Sequence, residues 1–117
     1  MNHIFVFGSN TEGRHGKGAA LTAKQKYGAI YGQAEGLQGR SYAIITKELR
    51  PWKRPITLFD IRQSILRFIH FAILHPELTF QVTKIGCGLA GFKEKEIAPL
   101  FKDSPKNVIL PYGWTKS

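Results

Sequence analysis

Residues 84–96 read KIGCGLAGFKEKE. Gly86, Gly88 and Gly91 fall between a β-like run and a helix-like one. Glycine in an ordered element costs backbone entropy, about 0.5–1 kcal/mol relative to alanine. Three together imply tight turning or a ligand that comes close to the backbone. A second loop of this kind comes after Ile4-Phe5-Val6-Phe7: Gly8-Ser9-Asn10, then Gly13, Gly16 and Gly18, with Ala19 after it. A lysine, Lys47, ends the run Ser41-Tyr42-Ala43-Ile44-Ile45-Thr46. Backbone N–H groups bared by missing side chains bind anions.

Other chemistries fit less well. Gly86-Cys87-Gly88-Leu89-Ala90-Gly91 matches the dinucleotide pattern G-x-G-x-x-G. It comes after the third strand-like run, however, and no acidic residue stands about 20 positions on to hold a ribose. The first loop nearly spells a phosphate-gripping P-loop, but Arg14-His15 stands where Lys-Ser/Thr is needed. His3, His15, His70 and His75 are scattered and Cys87 is the only cysteine, so no zinc spacing exists. Cys87 is either a nucleophile in an amide-rich turn or, more simply, a small buried filler. No metal and no cofactor is expected.

These loops need elements to hold them. Ile4–Phe7 is apolar on both faces, as in a parallel sheet covered on both sides. Residues 18–27 are good helix formers closed by Gly28. A short extra strand is expected near residues 29–31, and a main strand over 41–46. Thr57-Leu58-Phe59-Asp60 opens a helix to about Leu74 with a capping-box pattern. Leu58, Ile61, Ile65, Phe68, Ile69, Ala72 and Ile73 form its apolar side, and His75-Pro76 ends it. A strand over 80–85, a short helix over 94–101 and a strand over 107–110 complete a β-α-β-α-β-α-β order. Right-handed crossovers make that an α/β fold, a three-layer α/β/α sandwich with a mostly parallel sheet.

In such sheets ligands sit at the carboxyl ends of the strands. The four strand ends lead, in order, into Gly8–Gly18, into Thr46 and Lys47, into Gly86–Gly91, and into Tyr112, Gly113 and Trp114. Two glycine loops, a lysine and two aromatics along one rim suit a dinucleotide-like ligand, its pyrophosphate between the loops.

The 117 residues suit one domain, 1–117. Seventeen Lys and Arg against eight Asp and Glu give a net charge of +9, which favours anionic partners such as nucleotides and nucleic acid. Arg50-Pro51-Trp52-Lys53-Arg54-Pro55 concentrates that charge in a loop suited to phosphate contact and base stacking. One cysteine allows no internal disulfide, fitting a reducing, cytoplasmic setting. No secretory leader and no membrane-spanning run is read.

Taken together, Ser41–Lys47, Gly16-Lys17-Gly18-Ala19-Ala20 and Lys84-Ile85-Gly86-Cys87-Gly88-Leu89 resemble the macrodomain family. The similarity runs from about Phe5 to Leu110. It is strongest to the branch of the terminal ADP-ribose protein glycohydrolase and the ADP-ribose-1″-phosphate phosphatase. The resemblance implies a cleft for ADP-ribose. Gly16, Gly18 and Ala19 would face the phosphates from one loop, and Gly86, Cys87, Gly88, Leu89, Ala90 and Gly91 from the other. Asn10 would lie beside the distal ribose, and Ser9 and Thr46 would also bind the ligand. Lys47 matches the lysine that attacks its anomeric carbon, which implies an ADP-ribosyl hydrolase.

Two departures qualify that implication. The glycohydrolase has an aspartate, its acid/base partner, where this chain has Ala90. Such a group contributes about 10²–10⁴ in rate. Without a substitute, which Glu12 or Glu35 would have to provide, the cleft is a non-catalytic ADP-ribose reader. The earlier strands of a typical macrodomain, with the aspartate that reads adenine, also have no counterpart here. The expected fold is therefore a truncated macrodomain, with adenine met by Tyr112, Trp114 or backbone groups. A third alternative is a basic nucleic-acid-binding domain whose glycine loops are only structural.

Overall fold

The computed structural model describes residues 2–88 and 90–116. Its elements in chain order are β1 (His3–Asn10), α1 (Gly18–Lys26), β2 (Gly36–Gln38), β3 (Ser41–Lys47), α2 (Leu58–Leu74), β4 (Thr79–Val82), α3 (Glu94–Ile97), a 3₁₀ turn (Ala98–Phe101) and β5 (Val108–Ile109). They build one mixed sheet in the order β2-β3-β1-β4-β5. Only β2 runs antiparallel to its neighbour; the other pairings are parallel.

The extra strand lies at Gly36–Gln38, not near residues 29–31. Gln38 pairs with Ser41 across a two-residue turn. Gly39 takes φ +62° there, which suits a hairpin whose first turn residue must be left-handed. The β4 ladder stops at Val82, short of Ile85. The Ile85 N–H bonds the Thr83 carbonyl instead at 2.7 Å, so the chain leaves the sheet and opens the rim.

Helix α2 obeys its apolar spacing: Ile61, Ile65, Phe68, Ile69 and Ala72 are buried. Ile73, expected with them, is 56% exposed on the outer side with Phe59. At the N-terminus the Asp60 N–H bonds Thr57 Oγ1 and the Thr57 N–H bonds Asp60 Oδ2, closing a capping box. Arg54 grips the same carboxylate, at 2.6 and 2.9 Å. At the C-terminus Asn107 Nδ2 lies within 3.1 Å of the carbonyls of Ala72, His75 and Leu78, tying the helix end to the approach to β5. Thr57→Ala should cost about 1 kcal/mol of unfolding free energy, read from urea denaturation, because the capping acceptor is lost.

The two faces of the sheet differ. One carries the main core: Val6, Ile44, Phe80 and Val108 under α2, with Ile97 and Phe101 from the α3 segment. The other carries a small cluster of Phe7, Ala20, Ala23, Ala29 and Ala43 under α1. Helix α1 covers only part of that face; Gln81 of β4 is exposed and Ile109 of β5 is 44% exposed. The three-layer sandwich is complete over β1 and β3 and bare on one side of β4 and β5. Among the described residues no helix is long and apolar enough to cross a membrane.

Candidate functional site

The carboxyl ends of β3, β1 and β4 border a cleft of about 970 Å³. That is within the size range of small-ligand sites, roughly 300–1,000 Å³. The register of β1 against β3 slips at Ser9/Asn10, so Asn10 stands opposite Lys47. Such bulges re-aim side chains at a sheet's rim. Thr46 Oγ1 donates to the Ser9 carbonyl at 3.2 Å, and the Thr11 N–H to the Lys47 carbonyl at 3.0 Å, which fixes the two strand ends together.

Most of the sequence-derived residues gather in this lining. Ser9, Asn10, Thr46 and Lys47 come from the strand ends. Gly16, Gly18 and Ala19 come from the first loop and the start of α1, and Gly86, Gly88 and Ala90 from the second loop. Three others lie outside it. Cys87 packs against the main core, and its thiol donates to the Ile85 carbonyl. Burial pushes that thiol's pKa up, with Glu94 adding to the effect, so it is held protonated. Gly91 closes a turn, its N–H on the Gly88 carbonyl at 3.0 Å. Tyr112 is fully exposed away from the cleft. Leu89 lies outside the described residues.

The aromatic expected beyond β5 is structural. Trp114 is buried, 5.9 Å from the Phe101 ring centroid, with its indole N–H on Glu94 Oε1. The aromatic in the lining is Tyr31, 56% exposed and crossed by Lys24 at 5.0 Å from its ring. Tyr31 sits between Ile30 and Gly32, in a stretch that reads as an edge strand, and its flanking glycines were the available signal of a loop.

Asn10 organises its own loop. Its Oδ1 accepts the N–H groups of Glu12 and Arg14, and its Nδ2 donates to the Arg14 carbonyl. Gly13 completes that turn at φ +64°, where a Cβ would stand 2.5 Å from the Gly32 carbonyl carbon. The contact holds the Tyr31 segment beside the cleft. Gly16 and Gly88 differ: a Cβ at either meets nothing within 4 Å, so these backbones face open space.

The charged groups of the lining are all cations: Arg14, Lys17, Lys47 and Lys84. No Asp or Glu contributes to it among the described residues. Lys84 is steadied by Glu94 at 3.3 Å. Helix α1 begins at the cleft with no side-chain cap, no acidic residue in its first turn, and Lys17 at the N-cap. A cation at a helix N-terminus opposes the helix dipole, and a bound anion relieves that conflict.

The carboxylates considered as acid/base groups are engaged elsewhere. Glu35 accepts from Arg67 and Ser64, and those contacts outweigh its burial and lower its pKa. Glu12 is exposed and does not line the cleft. Glu48, next to Lys47, accepts from Arg50 and Thr11, which holds its pKa at about 2. The same pairs offset the basic loop: Arg50 bonds Glu48 and Arg54 bonds Asp60. Trp52, 75% exposed, and Lys53 are exposed in that loop together with the paired Arg54.

His15 is fully buried, its ring edge-on to Phe7 at 5.2 Å. Burial lowers its pKa, Lys24 adds to that, and the Gln33 backbone opposes it weakly. The folded protein thus resists a proton that the unfolded chain accepts below about pH 6.5. Stability should be fully present well above that pH, at pH 7.5, and lower below it, at pH 5.5. Urea midpoints at the two pH values should show the decline, and His15→Gln should flatten it. No cluster of three or more His, Cys, Asp or Glu among the described residues could hold a metal ion.

The sequence matches no family model and no curated protein. The fold has counterparts among solved structures. A protein of unknown function from Bacteroides thetaiotaomicron shares 21% identity at a TM-score of 0.62, over 97% of this chain and 86% of that one. Another structure from the same organism shares 21% identity at a TM-score of 0.64, over 98% and 88%. A macrodomain protein from Streptomyces coelicolor shares 16% identity at a TM-score of 0.57, over 95% and 88%. The chain is an α/β protein of macrodomain-like fold.

Proposed function

We propose that the chain binds ADP-ribose, free or attached to a macromolecule, in the cleft at the carboxyl ends of β1, β3 and β4. The observation that carries this reading is a lining whose charged groups are all cationic around an uncapped helix N-terminus. The pyrophosphate sits between the start of α1 and the Gly86–Gly88 turn. Tyr31 offers a face to the adenine, in the role first expected of Tyr112 or Trp114. The distal ribose lies toward Lys47. Isothermal titration with ADP-ribose tests the reading; no heat at millimolar ligand would end it.

A second reading adds hydrolysis at the distal ribose, as in the glycohydrolase branch. Its support is Lys47, which lines the cleft and has no ion-pair partner among the described residues. Its difficulty is proton transfer, since no carboxylate contributes to the lining there. Release of ADP-ribose from a modified protein or nucleic acid should be slow and should vanish in Lys47→Ala. Equal release by both proteins removes Lys47 from the chemistry. A nucleic-acid partner rests on Trp52 and Lys53; its affinity should fall steeply with salt, unlike binding in the cleft.

A further inference from the structure

We propose that the cleft takes purine nucleoside-diphosphate riboses as a class: it grips the diphosphate and stacks the base without reading which purine it is. For the binding itself this rests on the ADP-ribose reading above. Tyr31 is the aromatic side chain of the lining among the described residues. Lys24 Nζ lies over its ring, 5.0 Å from the centroid, which leaves the opposite face for a flat partner. Stacking there tolerates any base, because every base has a π-face. Telling one purine from another takes fixed hydrogen bonds to its edge, and a site that makes them rejects the wrong ligand by about 10⁴–10⁵.

Adenine carries an amino donor at C6, where hypoxanthine and guanine carry a carbonyl acceptor. A site that distinguishes them needs a fixed acceptor or donor at that edge. No Asp or Glu contributes to the lining among the described residues. The amide of the lining, Asn10, has its oxygen on the Glu12 and Arg14 N–H groups and its nitrogen on the Arg14 carbonyl. Ser9 Oγ is paired with the buried His15 ring at 3.2 Å. Thr46 and Thr83 donate to the Ser9 and Val6 carbonyls, at 3.2 and 2.7 Å. The backbone around Tyr31 is engaged as well. The N–H groups of Ile30, Gly32 and Gln33 bond Gln38 Oε1, the Gly13 carbonyl and the Ile30 carbonyl. The Tyr31 phenol both donates and accepts, so it suits either kind of edge. What the cleft offers a ligand is positive charge, from Arg14, Lys17, Lys47 and Lys84, and that suits phosphate.

Isothermal titration with ADP-ribose, inosine diphosphate ribose and GDP-ribose tests this. The inosine compound differs from ADP-ribose only in the C6 substituent and the proton on N1. The three dissociation constants should agree within about threefold. Tyr31→Ala should weaken all three about tenfold and by the same factor, since what is lost is stacking. Tyr31 is 56% exposed, so its truncation should leave the melting temperature within a few degrees. A spread beyond about tenfold among the three ligands would reveal a fixed partner at the base edge and overturn the proposal. Unchanged affinities in Tyr31→Ala, or a loss for one base alone, would overturn it too. If ADP-ribose binds and the other two do not, the proposal falls and the ADP-ribose reading stands. If none of the three binds, both fall.

Discussion

Gly88→Val should keep the native melting temperature and bind ADP-ribose about 100-fold more weakly. The first half comes from space. A Cβ at Gly88 meets nothing within 4 Å, and its φ is not in the left-handed region. Open surface positions of this kind usually shift stability by no more than about 0.5 kcal/mol. The second half comes from the proposed use of the turn. Gly88 lines the cleft, and a branched side chain there would hold a phosphate off the backbone amides. Each hydrogen bond to a charged group is worth about 1.5–3 kcal/mol. Losing two at the lower value is about 100-fold in affinity. Thermal melting and titration calorimetry on one preparation measure both halves. Unchanged affinity would mean that the ligand does not reach this turn.

Phe68→Ala should come close to unfolding the protein. Phe68 is fully buried at the centre of α2's inner side. Its ring centroid lies 5.1 Å from Tyr42 on β3, 5.3 Å from Phe80 on β4 and 6.2 Å from Phe101 beyond α3. It therefore joins the elements that carry Lys47 and the Gly86–Gly88 turn. Buried Phe→Ala changes cost about 3–5 kcal/mol, against a total of about 5–15 kcal/mol for a domain. The melting temperature should fall by roughly 10–25 °C. A fall of only a few degrees would show that this side of the sheet is not the main core.

Helix α2 was open to the sequence because two independent signals agree there: a helical apolar spacing and the Thr57–Asp60 box. The rim was open for a similar reason, since parallel strands send their outgoing loops to one side. Asn107 shows what pattern does not carry. Its three carbonyl partners lie 29 to 35 residues away in the chain, so no local reading finds them. Asn10 lines the cleft, yet its amide is committed to residues 12 and 14, a choice made by turn geometry. The Arg50 and Arg54 charges read as free in composition and are paired in space. Tyr31 was hidden because the hairpin lies at Gly36–Gln38, leaving residues 28–35 to fold back over the first loop, where the Gly32 N–H bonds the Gly13 carbonyl. Ile109 and Ile73 are exposed because a strand or helix pattern states which residues share a side, and whether that side is covered depends on the rest of the fold.

The most direct measurement is a titration of the ¹⁵N-labelled protein with ADP-ribose, monitored by amide chemical shifts. The expected result is saturable movement of the amides of Gly18 to Ala20 and of Gly86 and Gly88, with the Arg50–Pro55 loop unmoved. Shifts confined to the Arg50–Pro55 loop, or none at millimolar ligand, would contradict a phosphate-binding cleft at the strand ends.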